Sequence, residues 1–337
     1  MSKPKVAVVG CGRWGRNIIR NMSQLDALVA VVDQDERRGA EQSKQYGVPA
    51  YSSAAEARAG AGATAVVIST PAETHAQLAI EALALGLDVF VEKPMSTRVG
   101  DGERMIRLAA DLKRVLMVGH LLEYHGAVIK LKELVDSGEL GRIEYAYSTR
   151  LNMGLVRHEE NALWSFAPHD IAVLLLLLGQ MPIQVTAVGG SYLQPNIADV
   201  TMTNLLFDGG VRAHIFVSWL HPFKEQKLIV LGTKKMVVFN DVVADHKLLL
   251  FDRHIESIEG ELVAHRVEGT PVEYPGTEPL RQECQHFLEC IETRHTPRTD
   301  GWNGLRVLSV LQASQRSIQL NGEPVTLRAG LQEIIYA

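Results

Sequence analysis

Two short motifs in the first hundred residues carry groups that could do chemistry together. Gly10, Gly12 and Gly15 have the spacing of a loop that brings backbone N–H groups to a phosphate. Lys93 follows Glu92 at the end of a later apolar stretch. At the carboxyl edge of a dinucleotide-binding sheet, such a lysine would lie where a hydride acceptor is held. The two motifs therefore predict the oxidation of an alcohol, with a sugar or polyol as the natural class of substrate.

The context of the glycine loop supports dinucleotide binding. The apolar residues Val6–Val9 precede it as a predicted strand, and Arg16–Met22 follow as a predicted helix. Gly10 permits the tight turn, Gly12 lets the backbone approach a phosphate, and Gly15 lets the helix pack closely on its strand. The predicted cofactor contacts in this loop are Gly10, Gly12, Arg13, Trp14 and Gly15.

Asp33 ends the next predicted strand and bears on the choice of cofactor. Its carboxylate could accept hydrogen bonds from ribose hydroxyls and would repel a 2′-phosphate, which favours NAD over NADP. Arg37 and Arg38 complicate this choice because either could pair with such a phosphate, and Arg38 is kept among the predicted cofactor contacts. Asp35 and Glu36 lie beside them, so a solvated, self-neutralising helix start is the alternative.

Lys93 and His169 are the two candidates for the base that takes the hydroxyl proton. An ordinary lysine, with a pKa of about 10.4, holds its proton too firmly, whereas burial beside a cationic nicotinamide would lower that pKa. Alternatively, Lys93 stays charged and orients the hydroxyl. His169 is predicted in the opening turn of a helix that starts at Pro168, where the helix dipole would lower its pKa and keep it neutral. A purely structural histidine is the alternative there, and the choice of base stays open.

Residues 150–161 leave a predicted strand and are expected to overhang the substrate. The guanidinium groups of Arg150 and Arg157 fit the oxygens of a diphosphate. Asn152 or Asn161 could recognise sugar hydroxyls or the edge of a uracil. A solvated loop with Arg–Glu pairs is an equally good interpretation from composition alone.

The histidines and cysteines give no metal signature. His75 opens a helix near the expected pyrophosphate and could donate to a cofactor oxygen, and His120 follows the fifth predicted strand and could line the site. The three cysteines, Cys11, Cys284 and Cys290, lack zinc-ligand spacing. We expect no metal ion.

The apolar periodicity divides the chain into two regions of different architecture. Residues 1–120 alternate strands and helices, which predicts a Rossmann NAD-binding domain with a parallel sheet. Residues 121–337 are richer in strands, which predicts an α/β substrate-binding and oligomerisation domain with a large, mostly antiparallel sheet. The fold class is therefore α/β. Predicted strands of the first region are Lys5–Val9, Leu28–Val32, Ala65–Ser69, Asp88–Val91 and Val115–Val118, with a helix over Thr74–Leu85. The second region has predicted strands near Glu144–Arg150, Gln184–Ser191, Thr201–Phe207, Val211–Trp219, Lys227–Leu231, Lys235–Asn240, Lys247–Phe251 and Leu262–Val267, and helices near His125–Val135, Ile171–Leu178, Leu280–Thr293 and Leu305–Leu320.

Composition excludes several classes of protein. The 337 residues are 46% hydrophobic and 22% charged, which is ordinary for a globular protein of two domains. A formal net charge of −5 gives no reason to expect nucleic acid or an anionic membrane as a partner. Because no targeting segment or membrane span is visible, we expect a cytoplasmic protein.

Four stretches together resemble the glucose-fructose oxidoreductase/inositol dehydrogenase/MocA family along nearly the whole chain. They are the loop Gly10–Gly15, Ser69-Thr70-Pro71 followed by His75, Glu92-Lys93-Pro94, and Tyr124 through Ile143. The resemblance implies a Rossmann domain with an open-faced second domain, a usually cis Lys93–Pro94 bond, and oligomers formed through the large sheet. It implies a catalytic role for His169, while Ser165 stands where members often carry an aspartate. The further cofactor contacts predicted on this basis are Ser69, Thr70, Pro71, His75, Glu92, Lys93 and His120.

Residues 150–170 and the Trp14 position also resemble the UDP-N-acetylglucosamine 3-dehydrogenases within that family. This resemblance implies NAD-dependent oxidation of the C3 hydroxyl of a UDP-N-acetylhexosamine to a UDP-3-keto sugar. An aminotransferase partner would then aminate the product in diamino-sugar synthesis for lipid A. We expect a homodimer or homotetramer. The predicted substrate contacts are Lys93, Arg150, Asn152, Arg157, Asn161, Trp164, Ser165 and His169.

Two other functions remain open. An NAD-dependent inositol or simple-sugar dehydrogenase would act on a neutral substrate and would not need Arg150 and Arg157. A non-catalytic, dinucleotide-sensing regulatory protein would use the same fold without turnover, and the retention of Lys93 and His169 argues against it.

Overall fold

The computed structural model describes residues 3–327, except for residues 155, 254, 259 and 266. The chain forms two compact units. The first comprises the chain up to Tyr124 together with Thr277–Leu308, and the second runs from His125 to Gly276 and resumes at Ser309.

The first unit contains a parallel sheet whose strands are short and almost wholly buried. Strands sandwiched between helices need apolar residues on both faces, which explains the continuous apolar runs of this region. The order β3-β2-β1-β4-β5-β6 confirms the predicted Rossmann arrangement. The strands are β1 (Val6–Val9), β2 (Leu28–Val32), β3 (Ala50–Tyr51), β4 (Ala65–Ile68), β5 (Asp88–Glu92) and β6 (Leu116–Gly119).

The second unit contains a large mixed sheet. Among the described residues it has nine strands in the order β16-β13-β12-β11-β7-β10-β9-β8-β17, antiparallel throughout except between β7 and β10. The strands of this unit are β7 (Ile143–Met153), β8 (Gln184–Gly190), β9 (Val200–Leu206), β10 (Arg212–Ser218), β11 (Leu220–Gly232), β12 (Lys235–Asn240), β13 (Leu248–Asp252), β14 (Ile255–Ile258), β15 (Glu261–Ala264), β16 (Thr270–Pro271) and β17 (Val325–Thr326). The predicted strand over 262–267 is shorter, ends at Ala264 and pairs with β14 outside the large sheet, and its residue 266 lies outside the described residues.

The helices surround these sheets. They are α1 (Gly15–Gln24), α2 (Glu36–Tyr46), α3 (Ala54–Ala61), α4 (Ala72–Ala84), α5 (Val99–Asp111), α6 (Gly126–Asp136), α7 (Ala162–Leu178), α8 (Pro279–Thr293) and α9 (Gly301–Gln319), with a short 3₁₀ turn at Leu121–Tyr124. Within the part of the chain described, no helix combines the length and the apolar character needed to cross a bilayer.

The return of residues 277–308 to the first unit corrects the predicted division at residue 120. Helix α8 places Leu280, Cys284 and Phe287 in the apolar core of the Rossmann unit. The ring of Phe287 meets that of Phe90 edge to face at 5.6 Å. The amphipathic pattern of α8 is visible in the sequence, but the pattern alone does not tell which sheet its apolar face will cover.

Helix α7 packs against β7, β9 and β10 and covers one face of the large sheet. It begins at Ala162, so the expectation that Pro168 is its first residue is wrong. The true start is set by Asn161, whose side chain accepts a hydrogen bond from the backbone N–H of Trp164 at 3.2 Å. His169 therefore lies two turns into the helix, beyond the first turn where the helix dipole acts.

Replacing Asn161 tests this helix start. Asn161→Ala removes the cap and should lower the free energy of unfolding by about 1 kcal/mol. Asn161→Asp keeps the capping oxygen and should recover most of that loss, although it gives up the hydrogen bond from Asn161 to Gln315. Urea denaturation of the three proteins measures the difference. Equal losses in both variants would show that the Gln315 contact, rather than the cap, stabilises this end of α7.

Candidate active site

Five of the predicted cofactor-binding segments meet at one edge of the Rossmann sheet. Because the strands are parallel, the loops that follow β1, β2, β4, β5 and β6 all leave from the same side. These loops carry the glycine motif, Asp33, Ser69–Pro71, Glu92-Lys93 and His120. The first unit thus brings these predicted cofactor contacts to one edge of the sheet.

The three glycines of the loop are required for different reasons. Gly10 has a φ of +97°, and a Cβ there would lie 2.5 Å from the carbonyl oxygen of Ser69. A Cβ on Gly15 would lie 1.8 Å from the carbonyl oxygen of Gly10. By contrast, a Cβ on Gly12 would meet no described protein atom within 4 Å. Packing explains Gly10 and Gly15, whereas Gly12 keeps open the side from which a phosphate approaches.

The start of α1 also fits a pyrophosphate. Trp14 occupies the N-cap position, and its side chain makes no capping hydrogen bond to the helix. No side chain of the described residues therefore caps this end of α1, and the positive end of the helix dipole favours an anion there.

Asp33 is held in place by two backbone donors. Its Oδ2 accepts from the N–H of Cys11 at 2.7 Å, and its Oδ1 accepts from the N–H of Asp35 at 2.9 Å. This fixes a carboxylate at the end of β2, where a ribose would be recognised. Arg38 pairs with Asp35 at 3.3 Å, and Asp35 caps α2. Arg38 thus has an acidic partner of its own. This is the arrangement of the alternative interpretation, a self-neutralising helix start.

His75 does not have the role predicted for it. The ring is buried, its Nδ1 lies 2.8 Å from the carbonyl oxygen of Pro94 and its Nε2 lies 2.9 Å from that of Thr70. Both nitrogens face protein carbonyls, so neither is directed at a cofactor oxygen. Burial lowers the pKa of His75, which opposes the second proton that would let both nitrogens donate. His75 joins the loop after β4 to the loop after β5.

Glu92 and Lys93 end β5, and the Lys93–Pro94 bond is cis, as the family resemblance implies. The Glu92 carboxylate is buried and accepts from the indole N–H of Trp14 at 2.5 Å and from the backbone N–H of Lys93 at 3.2 Å. Burial raises the pKa of Glu92 to about 7, although the Trp14 hydrogen bond and the positive charge of Lys93 both oppose this shift. An ionisable carboxyl with a pKa near neutrality therefore adjoins the candidate catalytic lysine.

His120 belongs to a buried hydrogen-bonded group that the sequence did not reveal. Its Nδ1 lies 2.5 Å from Oδ1 of Asn303, and the amide nitrogen of Asn303 donates to Glu123 at 2.9 Å. This arrangement makes Nδ1 the donor and leaves Nε2 of the neutral ring as an acceptor. Burial, with a smaller contribution from the charge of Lys93, lowers the pKa of His120 to about 4, so the ring is neutral at physiological pH.

Asn303 and Glu123 are thus site residues that sequence reasoning missed. Asn303 lies in the first turn of α9, far along the chain from His120, and no local motif connects the two. Burial raises the pKa of Glu123 to about 7, and its Oε2 has no hydrogen-bond partner among the described residues. The only sequence signal was the charged Glu123 beside the apolar Leu121 and Leu122.

In the second unit, Asp170 ties α7 to the sheet. It accepts from Nε of Arg150 at 2.9 Å and from Nη2 at 3.1 Å, and the hydroxyl of Ser148 also donates to it. Burial disfavours the charged guanidinium, but the carboxylate of Asp170 outweighs this and raises the pKa of Arg150. Because two guanidinium nitrogens of Arg150 bind Asp170, the expectation that Arg150 grips a diphosphate is not supported by its geometry.

Asn161 and Trp164 share one partner. The amide of Asn161 donates to Oε1 of Gln315 at 2.8 Å, and the indole of Trp164 donates to the same oxygen at 3.1 Å. Both side chains that were expected to contact substrate are engaged in holding the start of α7. Ser165 is buried in that first part of the helix.

Within residues 150–161, Arg157 and Asn152 keep the capacity to contact a ligand. Arg157 is half-exposed, and its Nε pairs with Glu160 at 3.1 Å. Such an exposed pair is weak and can exchange for a phosphate. The side-chain oxygen of Asn152 is buried without a hydrogen-bond partner among the described residues. An unpaired buried acceptor of this kind has the capacity to accept a hydrogen bond from a ligand or an ordered water.

Comparison with known families agrees with this geometry. Residues 4–120 match the oxidoreductase family with an NAD-binding Rossmann fold, and residues 128–238 match the GFO/IDH/MocA C-terminal domain. The chain belongs to the GFO/IDH/MocA oxidoreductase family. It is an NAD-dependent oxidoreductase, and the glycine loop, Asp33 and the uncapped start of α1 are the residues that fit the cofactor.

Two characterised relatives are similar over almost the whole chain. The UDP-N-acetylglucosamine 3-dehydrogenase of Acidithiobacillus ferrooxidans is 25% identical over 90% of this chain and 94% of its own length. The scyllo-inositol 2-dehydrogenase (NAD(+)) of Bacillus subtilis is 24% identical over 96% of both chains.

Solved structures show the same fold. That of the Acidithiobacillus ferrooxidans enzyme has a TM-score of 0.83 at 23% identity, covering 95% of this chain and 99% of the other. The WlbA dehydrogenase from Bordetella pertussis, in complex with NADH and UDP-GlcNAcA, has a TM-score of 0.79 at 23% identity, with coverage of 97% and 99%.

Gly12 allows a direct test of the cofactor site. Gly12→Ala adds a methyl group that touches no described protein atom, so the free protein should unfold at its parental temperature. The same methyl would occupy the phosphate side of the loop, and the Kd for NAD should rise at least tenfold, which corresponds to about 1.4 kcal/mol. Gly100→Ala, whose Cβ is also unobstructed in α5, is the matched control and should bind NAD normally. Calorimetry measures both. Unchanged NAD affinity in Gly12→Ala would contradict the assigned role of this loop.

Proposed function

We propose that the protein oxidises the C3 hydroxyl of a UDP-N-acetylhexosamine, with UDP-GlcNAc as the first candidate, to the UDP-3-keto sugar. The observation that carries this proposal is the similarity to a UDP-N-acetylglucosamine 3-dehydrogenase over 90% of the chain. A structural neighbour crystallised with a UDP-sugar and NADH supports the same substrate class. The keto sugar would be the substrate of an aminotransferase, as in diamino-sugar synthesis for lipid A.

An inositol dehydrogenase is the second candidate, because a scyllo-inositol 2-dehydrogenase is similar to an almost equal degree. The two substrates differ in the diphosphate, which needs a cationic partner. Arg157 is an exposed guanidinium in the segment expected to contact substrate, and its pair with Glu160 is weak enough to exchange. This residue favours the charged substrate over the neutral one.

The oxidation needs a hydride acceptor and a place for the hydroxyl proton. Bound NAD supplies the hydride acceptor. We assign the proton to Lys93 and His169, since one of them must accept it while the other orients the hydroxyl. Lys93 follows the buried carboxyl of Glu92, whose pKa burial raises to about 7, and the two charges interact. Asn152, whose buried oxygen lacks a described partner, would accept a hydrogen bond from the substrate.

A panel of possible substrates separates the two candidates. Purified protein with NAD should form NADH with UDP-GlcNAc and not with free inositol or glucose. Because a keto product can trap the enzyme, an aminotransferase is included as a coupling reagent. Arg157→Ala should raise the KM for UDP-GlcNAc about tenfold with a smaller change in kcat, since a diphosphate contact binds ground state and transition state alike.

Arg142→Ala is the matched control for that variant, because Arg142 is a highly exposed arginine of the same unit that pairs with Glu144. It should leave the KM unchanged. Oxidation of inositol, with no effect of Arg157→Ala, would assign the protein to the second candidate.

The catalytic assignment is tested separately. Lys93→Ala and His169→Ala should each lower kcat at least about 100-fold, the usual contribution of a positioned acid or base. Lys44→Ala and His295→Ala, both at exposed positions, control for loss of the same side chains. Steady-state rates with saturating NAD measure the effect, and circular dichroism checks folding. If the double variant kept parental turnover, neither side chain would be catalytic.

A further inference from the structure

Three parts of the first unit converge on the side chain of Glu92. The glycine loop supplies the indole N–H of Trp14, which donates to Oε1 at 2.5 Å. The backbone N–H of Lys93 donates to Oε2 at 3.2 Å. Strand β6 supplies Gly119, where a Cβ would lie 2.9 Å from the same Oε2. The chain therefore provides a donor for each carboxylate oxygen and a glycine that makes room for the group.

We propose that Trp14 and Glu92 are positioning residues that couple the glycine loop to Lys93. Trp14 is the N-cap residue of α1, inside the loop that fits the cofactor pyrophosphate. Glu92 holds this indole with one oxygen and the backbone of Lys93 with the other. A rigid two-oxygen link of this kind fixes the loop and the lysine relative to each other. The position of Lys93 thereby depends on the conformation of the glycine loop, and the reverse also holds.

The charge of Glu92 gives this link a pH dependence. The titratable groups that interact with the carboxyl are Lys93 on its own loop and Glu283 and Cys284 of α8. The uncharged indole of Trp14 donates to it, and β6 approaches it with Gly119. Burial raises the pKa of Glu92 to about 7, and the indole and the ammonium of Lys93 lower it from a still higher value. Protonation of Glu92 weakens the bond from Trp14 and removes the anion that stabilises the Lys93 ammonium.

The loss of the Trp14 N–H donor determines in which direction the pKa of Glu92 changes. Trp14→Phe keeps the ring but removes the N–H that stabilises the carboxylate, so Glu92 should protonate at a higher pH. The acid limb of kcat plotted against pH should then move upward by about one pH unit. A hydrogen bond to a charged group stabilises that group by enough to shift its pKa by roughly this amount. Glu92→Gln keeps an acceptor for the indole and cannot ionise, so this limb should disappear from its profile.

The protein offers a matched control for the loss of an indole donor. Trp219 donates its indole N–H to Oδ1 of Asp199, also at 2.5 Å and also buried, in the second unit. Trp219→Phe should lower the thermal unfolding temperature and leave the acid limb of kcat in place. A shift of equal size in both variants would show that Trp14 acts through general stability and would overturn the proposal.

A readout without turnover keeps this test independent of the substrate proposed above. In the free protein labelled with ¹⁵N-tryptophan, four indole signals are expected, since the chain has four tryptophans. The signal lost in Trp14→Phe should titrate with a midpoint near pH 7 in the parent protein, and should not titrate in Glu92→Gln. If the chemical shift of the Trp14 signal is constant from pH 5 to pH 9 (the titration range), the proposed coupling is wrong. This conclusion would not depend on which sugar the enzyme oxidises.

Discussion

The close contact between the end of β1 and the start of α1 is the constraint on which the cofactor site depends. Gly15 approaches the carbonyl of Gly10 so closely that no Cβ fits, and Gly10 in turn lies against the backbone of Ser69. These contacts bring the loops after β1 and β4 together before any ligand is considered. Asp33 is added to the same group because its carboxylate binds the N–H of Cys11 within the glycine loop. The geometry that serves a dinucleotide is thus a consequence of backbone packing at two glycines.

Around this edge the first unit buries several ionisable groups, and their neighbours determine their charge. His120 is neutral because it is buried and lies near Lys93, whereas Glu92 and Glu123 titrate near neutrality because hydrogen-bond donors partly offset their burial. Glu283 lacks such donors among the described residues, and burial raises its pKa well above the usual value. Glu92, which interacts with the charge of Lys93, makes the surroundings of that lysine sensitive to pH near neutrality, where ordinary carboxyls are fully ionised. Such clustering of shifted pKa values is typical of functional sites.

Much of the fold could be predicted because its signals are local. Apolar runs marked the five longer strands of the Rossmann sheet, but β3 has only two residues and leaves no pattern. Proline is a common first residue of a helix, so Pro168 led to a predicted start that is too late. The N-cap residue Asn161 is an equally good local signal for the observed start at Ala162. Elsewhere the sequence did not predict which groups would be the hydrogen-bond partners of the site residues. The sequence shows that His75 and Arg150 can donate hydrogen bonds. Only the folded chain shows that the His75 ring lies between the carbonyls of Thr70 and Pro94 and that Asp170 accepts from Arg150.

The geometry of α7 shows whether Asp170 can replace the aspartate that family members often carry at the position of Ser165. Ser165 and His169 are four residues apart in one helix and so share a face, where an aspartate at position 165 would lie beside the histidine. Asp170 is one residue further on, so it points about 100° around the helix. There it is committed to Arg150 and Ser148 on strand β7. Asp170 therefore does not replace the missing aspartate. Its ion pair with Arg150 holds α7, and with it His169, on the sheet.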